Sequence, residues 1–112
     1  MNPPLPFDVD VQTVKQQLDR GAILLLDCRE AGEVAVARIE GSLWIPMREI
    51  PARLSELGPD LSRRIVVYCH HGGRSRQVTQ FLRRQGFENT QNMAGGIDAW
   101  SQLVDPTIPR YD

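Results

Sequence analysis

Short apolar runs alternate along the chain with stretches in which apolar residues recur at helical spacing. Short runs of this kind, bounded by polar or turn residues, are typical of parallel strands that are buried on both faces. We predict strands at 22–26, 43–45 and 65–68, and a weaker strand at 90–92. The first run ends at Asp27, and the third leads directly into Cys69.

The stretches between these runs carry the spacing of amphipathic helices. Asp10 is a suitable N-cap for a helix whose apolar face holds Val11, Val14 and Leu18 and which Gly21 closes. The same spacing predicts further helices around Ile50, Leu54 and Leu57, around Val78, Phe81 and Leu82, and from 97 to 103. Because strands and helices alternate, we predict an α/β fold with a central parallel sheet between two layers of helices. Ligands of such sheets bind beyond the carboxyl ends of the strands, where Asp27 and Cys69 lie.

Composition and charge narrow the class of protein. The 112 residues suit one domain, and the balance of 13 Lys+Arg against 14 Asp+Glu argues against nucleic acid as the main partner. Cys28 and Cys69 are too few for a disulfide scaffold and lack the CxxC spacing of zinc or dithiol sites. No signal peptide or membrane-spanning run is evident, so we expect a cytoplasmic protein without a membrane partner.

The segment 68–75 carries the candidate chemistry. Cys69 ends a buried strand, and a helix begins shortly afterwards. Between them, Gly72 and Gly73 are interpreted as backbone positions with unusual dihedrals and close approach. This arrangement aims several backbone N–H groups at one point, which forms an anion-binding nest. A thiolate of Cys69 placed there gains from the helix dipole and from Arg74, so we expect its pKa to be lowered. Cys28 has no such loop and is interpreted as a structural core residue.

The pattern Cys69-x-x-Gly72-x-Arg74-Ser75 after an aliphatic strand resembles the active-site loop of rhodanese-like domains. Three further segments resemble that family in order and spacing: 27–29 (Asp-Cys-Arg), 41–46 (Gly-Ser-Leu-Trp-Ile-Pro) and 93–100 (Met-Ala-Gly-Gly-Ile-Asp-Ala-Trp). The resemblance covers about residues 8–103. It implies a three-layer rhodanese-like fold with about five parallel strands, formed by one domain over 1–112 with a Pro-containing tail at 104–112.

The resemblance also implies a sulfurtransferase that needs no cofactor. Cys69 would be the nucleophile that takes a sulfane sulfur from thiosulfate or a persulfide donor and passes it to cyanide or to a thiol, including a thiol on a protein. The loop that binds the persulfide would be formed by His70, His71, Gly72, Gly73, Arg74 and Ser75. Asp27 and Arg29 would support it. Arg38 stands where the family usually has a histidine, which leaves the preferred donor open.

Individual side chains in this region have alternative roles. Arg74 either contributes charge at the mouth of the site or pairs with an acidic residue beneath the loop. Arg29 either contacts a substrate anion or is structural, whereas Asp27 is expected to fix loops through hydrogen bonds. We expect no metal at His70 and His71, because adjacent side chains on a tight loop should diverge.

Two other functions remain open from the sequence. The same fold occurs in non-catalytic binding or regulatory modules, although these commonly lack the cysteine. It also occurs in Cys-dependent phosphatases and arsenate reductases, but phosphatases of this fold have a C-x5-R loop and this chain has C-x4-R between Cys69 and Arg74. The tail at 104–112 is too rich in proline for a helix and either packs on the domain or contacts a partner.

Overall fold

A computed structural model describes residues 4–112. Five strands lie at Asp8–Val9 (β1), Leu24–Asp27 (β2), Leu43–Trp44 (β3), Ile65–Tyr68 (β4) and Thr90–Met93 (β5). Four α-helices span Val11–Asp19 (α1), Ala31–Val36 (α2), Gly73–Arg84 (α3) and Gly96–Leu103 (α4). A 3₁₀ segment at Met47–Leu57 follows β3.

The strands form one fully parallel sheet in the order β1-β5-β4-β2-β3. In the central pair, Leu24 lies opposite Ile65 and Asp27 lies opposite Tyr68. Because β2 and β4 are neighbours in register, the residues that follow Asp27 and Tyr68 emerge side by side at the carboxyl edge of the sheet. This register places Cys28 next to Cys69.

Alternating side chains of the sheet divide the core into two clusters. The cluster on one face packs beneath α3 and the 3₁₀ segment and includes Leu26, Val67 and Cys69. The cluster on the other face packs beneath α1 and α4 and includes Leu25 and Val66. Helices therefore cover both faces of the sheet. The predicted three-layer α/β fold with a parallel five-stranded sheet is confirmed.

The first predicted strand began two residues too early. The N–H of Ala22 donates to the carbonyl of Gln17 at 2.9 Å, and Gly21 adopts a positive φ of 67°. Residues 21 and 22 therefore complete the C-terminal cap of α1 rather than start β2. At its other end, β2 extends one residue further than predicted and includes Asp27. The second strand was predicted at 43–45, but β3 ends one residue earlier, at Trp44.

The pattern around Ile50, Leu54 and Leu57 forms 3₁₀ turns, with a break at Arg53, where φ is −123°. Pro51 lies within this segment and removes a backbone donor, which disfavours a regular α-helix. The structure also contains β1 and α2, which have two and six residues and which the hydrophobic pattern did not predict.

The predicted tail packs against the domain. Ile108 and Tyr111 contact the core cluster beneath α1 and α4, and the Ser101 hydroxyl donates to the carbonyl of Ile108. None of the helices within residues 4–112 is long and apolar enough to cross a membrane.

Candidate active site

Cys69 lies at the carboxyl end of β4 and is 1 % exposed. Its Sγ accepts hydrogen bonds from the N–H of Gly72 at 3.1 Å and from the N–H of Ser75 at 3.4 Å. The Ser75 hydroxyl lies 3.4 Å from the same sulfur atom. The beginning of α3 thus surrounds the sulfur with donors, as the sequence predicted for an anion-binding nest.

These donors stabilise the ionised form of Cys69. Burial opposes ionisation, but the hydrogen bonds from the Ser75 hydroxyl and from the N–H groups of Ser75, Gly72 and Arg74 outweigh it. The pKa of the Cys69 thiol is therefore lowered from its usual value. A lowered pKa increases the thiolate fraction near neutral pH, and the thiolate is the nucleophilic form.

Buried polar side chains of β5 support the loop from below. The Ser75 hydroxyl has one proton and lies within hydrogen-bond distance of two acceptors, the side-chain oxygen of Asn92 and Sγ of Cys69. The Asn92 amide group donates to Asp8 at 3.0 Å. Asn92 is 2 % exposed, so its amide is available only to these internal partners. Asn92 holds the Ser75 hydroxyl beside Sγ, and the hydroxyl proton turns to the sulfur when Cys69 is ionised, because a charged thiolate is the stronger acceptor.

The two glycines of the loop have different roles. Gly72 adopts a φ of 119°, which side-chain-bearing residues rarely adopt, and so allows the chain to turn from Cys69 into α3. The expectation that Gly73 also needs an unusual dihedral is wrong. Gly73 is the first residue of α3, lacks a positive φ, and has open space where a Cβ would lie.

A third glycine, Gly96, lets α4 approach the loop. A Cβ on Gly96 would lie within 3.0 Å of the carbonyl oxygens of Cys69 and His70. Those carbonyls accept hydrogen bonds from the N–H groups of Ile97 at 2.9 Å and Asp98 at 3.1 Å. The N-terminus of α4 therefore binds the backbone of the loop directly after Cys69.

Arg74 is engaged with a carboxylate on α2. Its guanidinium donates two hydrogen bonds to Glu33, at 2.6 and 2.8 Å. The Tyr111 hydroxyl donates to the same carboxylate at 2.6 Å. The structure therefore gives Arg74 the pairing role that the sequence analysis had left open beside a role at the mouth. Through this pair, α2 and the tail hold the first turn of α3.

Asp27 and Arg29 form an ion pair that is 1 % and 0 % exposed, with contacts at 2.7 and 2.9 Å. Arg29 also donates to the carbonyl of Ala37 at 2.7 Å and to the Tyr111 hydroxyl at 3.1 Å. The Tyr68 hydroxyl donates to Asp27 at 3.0 Å. The Arg29 guanidinium is therefore engaged with internal partners, and through Tyr111 it is connected to the Glu33 carboxylate that pairs with Arg74.

His70 and His71 lie at the entrance. The expectation that their side chains diverge is wrong, because the ring centroids are 3.9 Å apart. The His70 ring also stacks on Tyr111 at 3.9 Å, which holds it against the tail. A cavity of about 340 Å³ beside them is lined by His71, Asp98, Arg110, Tyr111 and Asp112.

The entrance also contains possible metal ligands. Ligand atoms of His70, His71 and Asp98 lie within 4.8 Å of one another. Arg110 donates to the Asp98 carboxylate at 2.9 and 3.2 Å, so a cation at this position would compete with a guanidinium. If a metal bound within the described residues at the entrance, these three residues would hold it.

The thiolate environment predicts the pH dependence of alkylation. We expect Cys69 to react with iodoacetamide at a pH below the midpoint of a free thiol, about 8.5. Ser75→Ala removes the hydroxyl group and is expected to move the midpoint to higher pH, because the thiolate loses a donor. Mass spectrometry of the peptide that contains Cys69 measures the midpoint. Thr79→Ala removes another buried α3 hydroxyl, which bonds the Ser75 carbonyl rather than the sulfur, and is the matched control. Equal midpoints for wild type and Ser75→Ala would contradict this assignment.

The Glu33–Arg74 pair predicts an acid-dependent contribution to stability. The hydrogen bonds from Arg74 hold the pKa of Glu33 at about 2, against the opposing effect of burial. A carboxyl whose pKa is lower in the folded state stabilises the fold above its unfolded value, near 4.5, and loses that contribution as the pH falls towards 2. We expect Glu33→Gln to lower the free energy of unfolding by about 1–2 kcal/mol near neutral pH.

Urea unfolding measured between about pH 7 and about pH 3 tests this prediction. The difference between wild type and Glu33→Gln should shrink steadily below the unfolded pKa. Glu56→Gln is the matched control, because Glu56 also pairs with an arginine, Arg53, but is 40 % exposed. It should cost clearly less than Glu33→Gln. A pH-independent effect of Glu33→Gln would show that its carboxylate charge is not the cause.

Three contributors to the site were not predicted from the sequence: Glu33, Asn92 and Tyr111. The sequence signal for Asn92 is the polar character of the strand predicted at 90–92. The structure shows this strand, β5, wholly buried, and buried polar side chains need hydrogen-bond partners. Glu33 and Tyr111 gave no local signal, because each acts through a partner at least 41 residues away in the sequence.

Comparisons with known proteins agree with this geometry. A family model described as rhodanese-like domain matches residues 10–103. A protein named sulfurtransferase from Allochromatium vinosum is 38 % identical over 102 residues, which cover 90 % of this chain and 94 % of that protein. The thiosulfate sulfurtransferase GlpE of Haemophilus influenzae is 32 % identical, with 93 % and 96 % covered. Four other curated relatives are longer, and the chain spans 19–30 % of their length. The structure of the human single-domain sulfurtransferase TSTD1 superimposes with a TM-score of 0.79 and 29 % identity, covering 88 % of this chain and 98 % of that one.

Proposed function

The chain belongs to the rhodanese-like domain family, and we propose that it transfers a sulfane sulfur through a persulfide on Cys69. The observation that carries this proposal is the Cys69 sulfur, which is held among the N–H groups of Gly72 and Ser75 with a lowered pKa. Relatives that the chain matches over nearly their full length are named sulfurtransferases. Their names support the general reaction, and the donor, acceptor and individual roles below are proposed.

The first half-reaction loads the cysteine. The Cys69 thiolate attacks the outer sulfur of thiosulfate, the bond between the two thiosulfate sulfur atoms breaks, and sulfite leaves with the electron pair. The product is a persulfide whose negative charge can be stabilised by the same N–H donors. Thiosulfate is the proposed donor because it appears in the name of the GlpE relative, and a low-molecular-weight persulfide would react in the same way.

The second half-reaction returns the free thiolate. An acceptor thiolate or cyanide attacks the outer sulfur of the persulfide, and the sulfur–sulfur bond breaks towards Cys69. His70, His71 and Tyr111 would shape the entrance through which the acceptor arrives. Gly73 would contribute through its backbone, and Arg74 through its ion pair with Glu33. The buried pair of Asp27 and Arg29 would support the loop.

The loop geometry argues against phosphate-ester hydrolysis. Four residues separate Cys69 from Arg74, and the Arg74 guanidinium donates to Glu33 rather than towards an open phosphate site. A phosphatase would need that guanidinium to bind equatorial oxygens of the transferred group. The proposed unit is one domain over residues 1–112, with its core at about 8–103 and the tail at 104–112. The proposed setting is the cytoplasm, whose reducing conditions would keep Cys69 as a thiol.

Steady-state kinetics test the proposed reaction. With thiosulfate and cyanide varied independently, we expect thiocyanate formation with parallel double-reciprocal lines, because sulfite leaves before the acceptor binds. Glutathione persulfide with a thiol acceptor tests the second donor class. Hydrolysis of p-nitrophenyl phosphate without sulfur transfer from either donor would instead support a phosphatase. Absence of both reactions in folded, reduced protein would favour a binding module.

A further inference from the structure

The second cysteine occupies the position beside Cys69 on the neighbouring strand. Asp27 and Tyr68 are the last paired residues of β2 and β4, and Cys28 and Cys69 follow them directly. The N–H of Cys28 donates to the Tyr68 carbonyl at 3.2 Å, and its thiol lies 3.4 Å from the same oxygen. Cys28 is thus hydrogen-bonded to the carbonyl of the residue that directly precedes Cys69.

Both side chains point to the same face of the sheet. Successive residues of a strand alternate between faces, and Cys28 and Cys69 both join the apolar cluster that contains Leu26 and Val67. Neighbouring strands lie about 4.8 Å apart, and a disulfide needs Cα atoms about 4.4–6.8 Å apart with converging side chains. The strand register and the shared face of the sheet therefore bring the Cα atoms of the two cysteines to a separation at which a disulfide can form.

The environment of Cys28 shows that it lies within electrostatic reach of Cys69. Burial raises the pKa of the Cys28 thiol, and the negative charges of Cys69 and Asp27 raise it further. The pKa of Cys28 is raised and that of Cys69 is lowered, so Cys28 holds its proton more tightly than Cys69 does. Cys28 is buried like Cys69, but no donors from the 70–75 loop surround its sulfur, and the proposed sulfur transfer makes no use of it.

We propose that Cys28 is an internal resolving thiol, which discharges the Cys69 persulfide as sulfide when no external acceptor arrives. The Cys28 sulfur bonds to Sγ of Cys69, and the bond between Sγ and the outer sulfur breaks. The outer sulfur leaves as HS⁻ and takes the proton of Cys28. The Cys28 sulfur is oxidised and the outer sulfur is reduced, so the reaction needs no external oxidant. The product is a Cys28–Cys69 disulfide that thiol reductants reopen.

Burial favours this route over attack from solution at the inner sulfur. Sγ of Cys69 is enclosed by the loop donors and by the core cluster that contains Cys28. External acceptors meet the outer sulfur, whereas Cys28 approaches the inner sulfur from within the protein. Because protonated Cys28 is a weak nucleophile, resolution is slow and does not compete with an available acceptor.

A single-turnover experiment tests this inference, which rests on the proposed function because it starts from the Cys69 persulfide. Reduced protein is loaded with thiosulfate, desalted into thiol-free buffer at low concentration and followed by intact mass. For wild type we expect the mass gain of one sulfur atom to be replaced by the loss of two hydrogen atoms, with release of about one sulfide per chain. Peptide mapping should join the peptides that contain residues 28 and 69.

Cys28→Ser is the matched variant, because a serine hydroxyl can still donate to the Tyr68 carbonyl. It should keep the persulfide at least about tenfold longer than wild type and release correspondingly less sulfide. Equal persulfide lifetimes in the two proteins would overturn the inference and leave the proposed function intact. A disulfide found only between chains would also overturn it.

A second arm separates failure of the inference from failure of the proposed function. If wild type takes up no sulfur from thiosulfate or glutathione persulfide, the proposed function fails. In that case the reduced protein is treated with hydrogen peroxide, which converts Cys69 to a sulfenic acid. The Cys28 thiol would condense with this sulfenic acid and give the same disulfide and water. Formation of that disulfide in wild type shows that Cys28 reaches Cys69. Its absence in both arms overturns the resolving role.

Discussion

Replacement of Cys69 by serine is expected to lower the rate of sulfur transfer at least about a thousandfold. A serine hydroxyl is not ionised near neutral pH, and oxygen cannot form the persulfide on which the proposed reaction depends. The nest that holds Sγ would then bind a neutral hydroxyl group and stabilise nothing along the reaction. Thiocyanate formation from thiosulfate and cyanide measures the loss.

Two controls make this result specific. Urea unfolding should show that Cys69→Ser remains folded, since serine fills nearly the same buried volume beside Ser75. Cys28→Ser should still take up sulfur from thiosulfate, because the nest contacts only Sγ of Cys69. Residual transfer by Cys69→Ser above about a tenth of the wild-type rate would contradict the assignment of Cys69 as the carrier.

Replacement of Arg29 by alanine is expected to lower the free energy of unfolding by about 3–5 kcal/mol. The substitution removes the guanidinium and leaves the Asp27 carboxylate buried. Of its donors among the described residues, the Tyr68 hydroxyl and the backbone N–H of position 29 remain. An uncompensated buried charge is far more costly than the loss of an exposed ion pair. Urea unfolding at neutral pH measures the difference.

Arg53→Ala is the matched control for Arg29→Ala. Arg53 also pairs with carboxylates, Glu49 and Glu56, but its side chain is 33 % exposed, so we expect a much smaller loss of stability than for Arg29→Ala. The double substitution of Asp27→Asn with Arg29→Met removes both charges and should recover part of the lost stability. Similar effects of Arg29→Ala and Arg53→Ala would show that the buried pair does not support the site as described.

The sheet and the cysteine loop could be predicted because their signals are local. The apolar run of β4, the residue Cys69 at its end and the glycine at position 72 lie within eight consecutive residues. Strand, turn and helix N-terminus follow from that order, and together they aim backbone donors at Sγ. The structure places them as the sequence indicated.

The supports of the loop could not be predicted, because they depend on contacts between distant segments. Glu33 lies on α2, a six-residue helix without a buried residue and therefore without a hydrophobic signature. Tyr111 follows a Pro-containing stretch that has no periodicity, yet its hydroxyl joins Arg29 and Glu33. Polar pairing of this kind is specified by the folded arrangement rather than by spacing along the chain.

Two errors concern the entrance and share a physical cause. The rings of His70 and His71 were expected to diverge, but Tyr111 stacks on His70 and the rings of the two histidines lie together. Gly73 was expected to need an unusual dihedral, but Gly72 alone makes the turn before α3. In both cases the conformation depends on another residue: Tyr111 holds the His70 ring, and Gly72 makes the turn that precedes Gly73.

Intact mass after brief incubation with thiosulfate, without any acceptor, tests the central claim most directly. We predict a gain of one sulfur atom in wild type and in Cys28→Ser, and no gain in Cys69→Ser. The claim would be contradicted by a gain that persists in Cys69→Ser. It would also be contradicted if folded, reduced wild type gained no sulfur from thiosulfate or from glutathione persulfide.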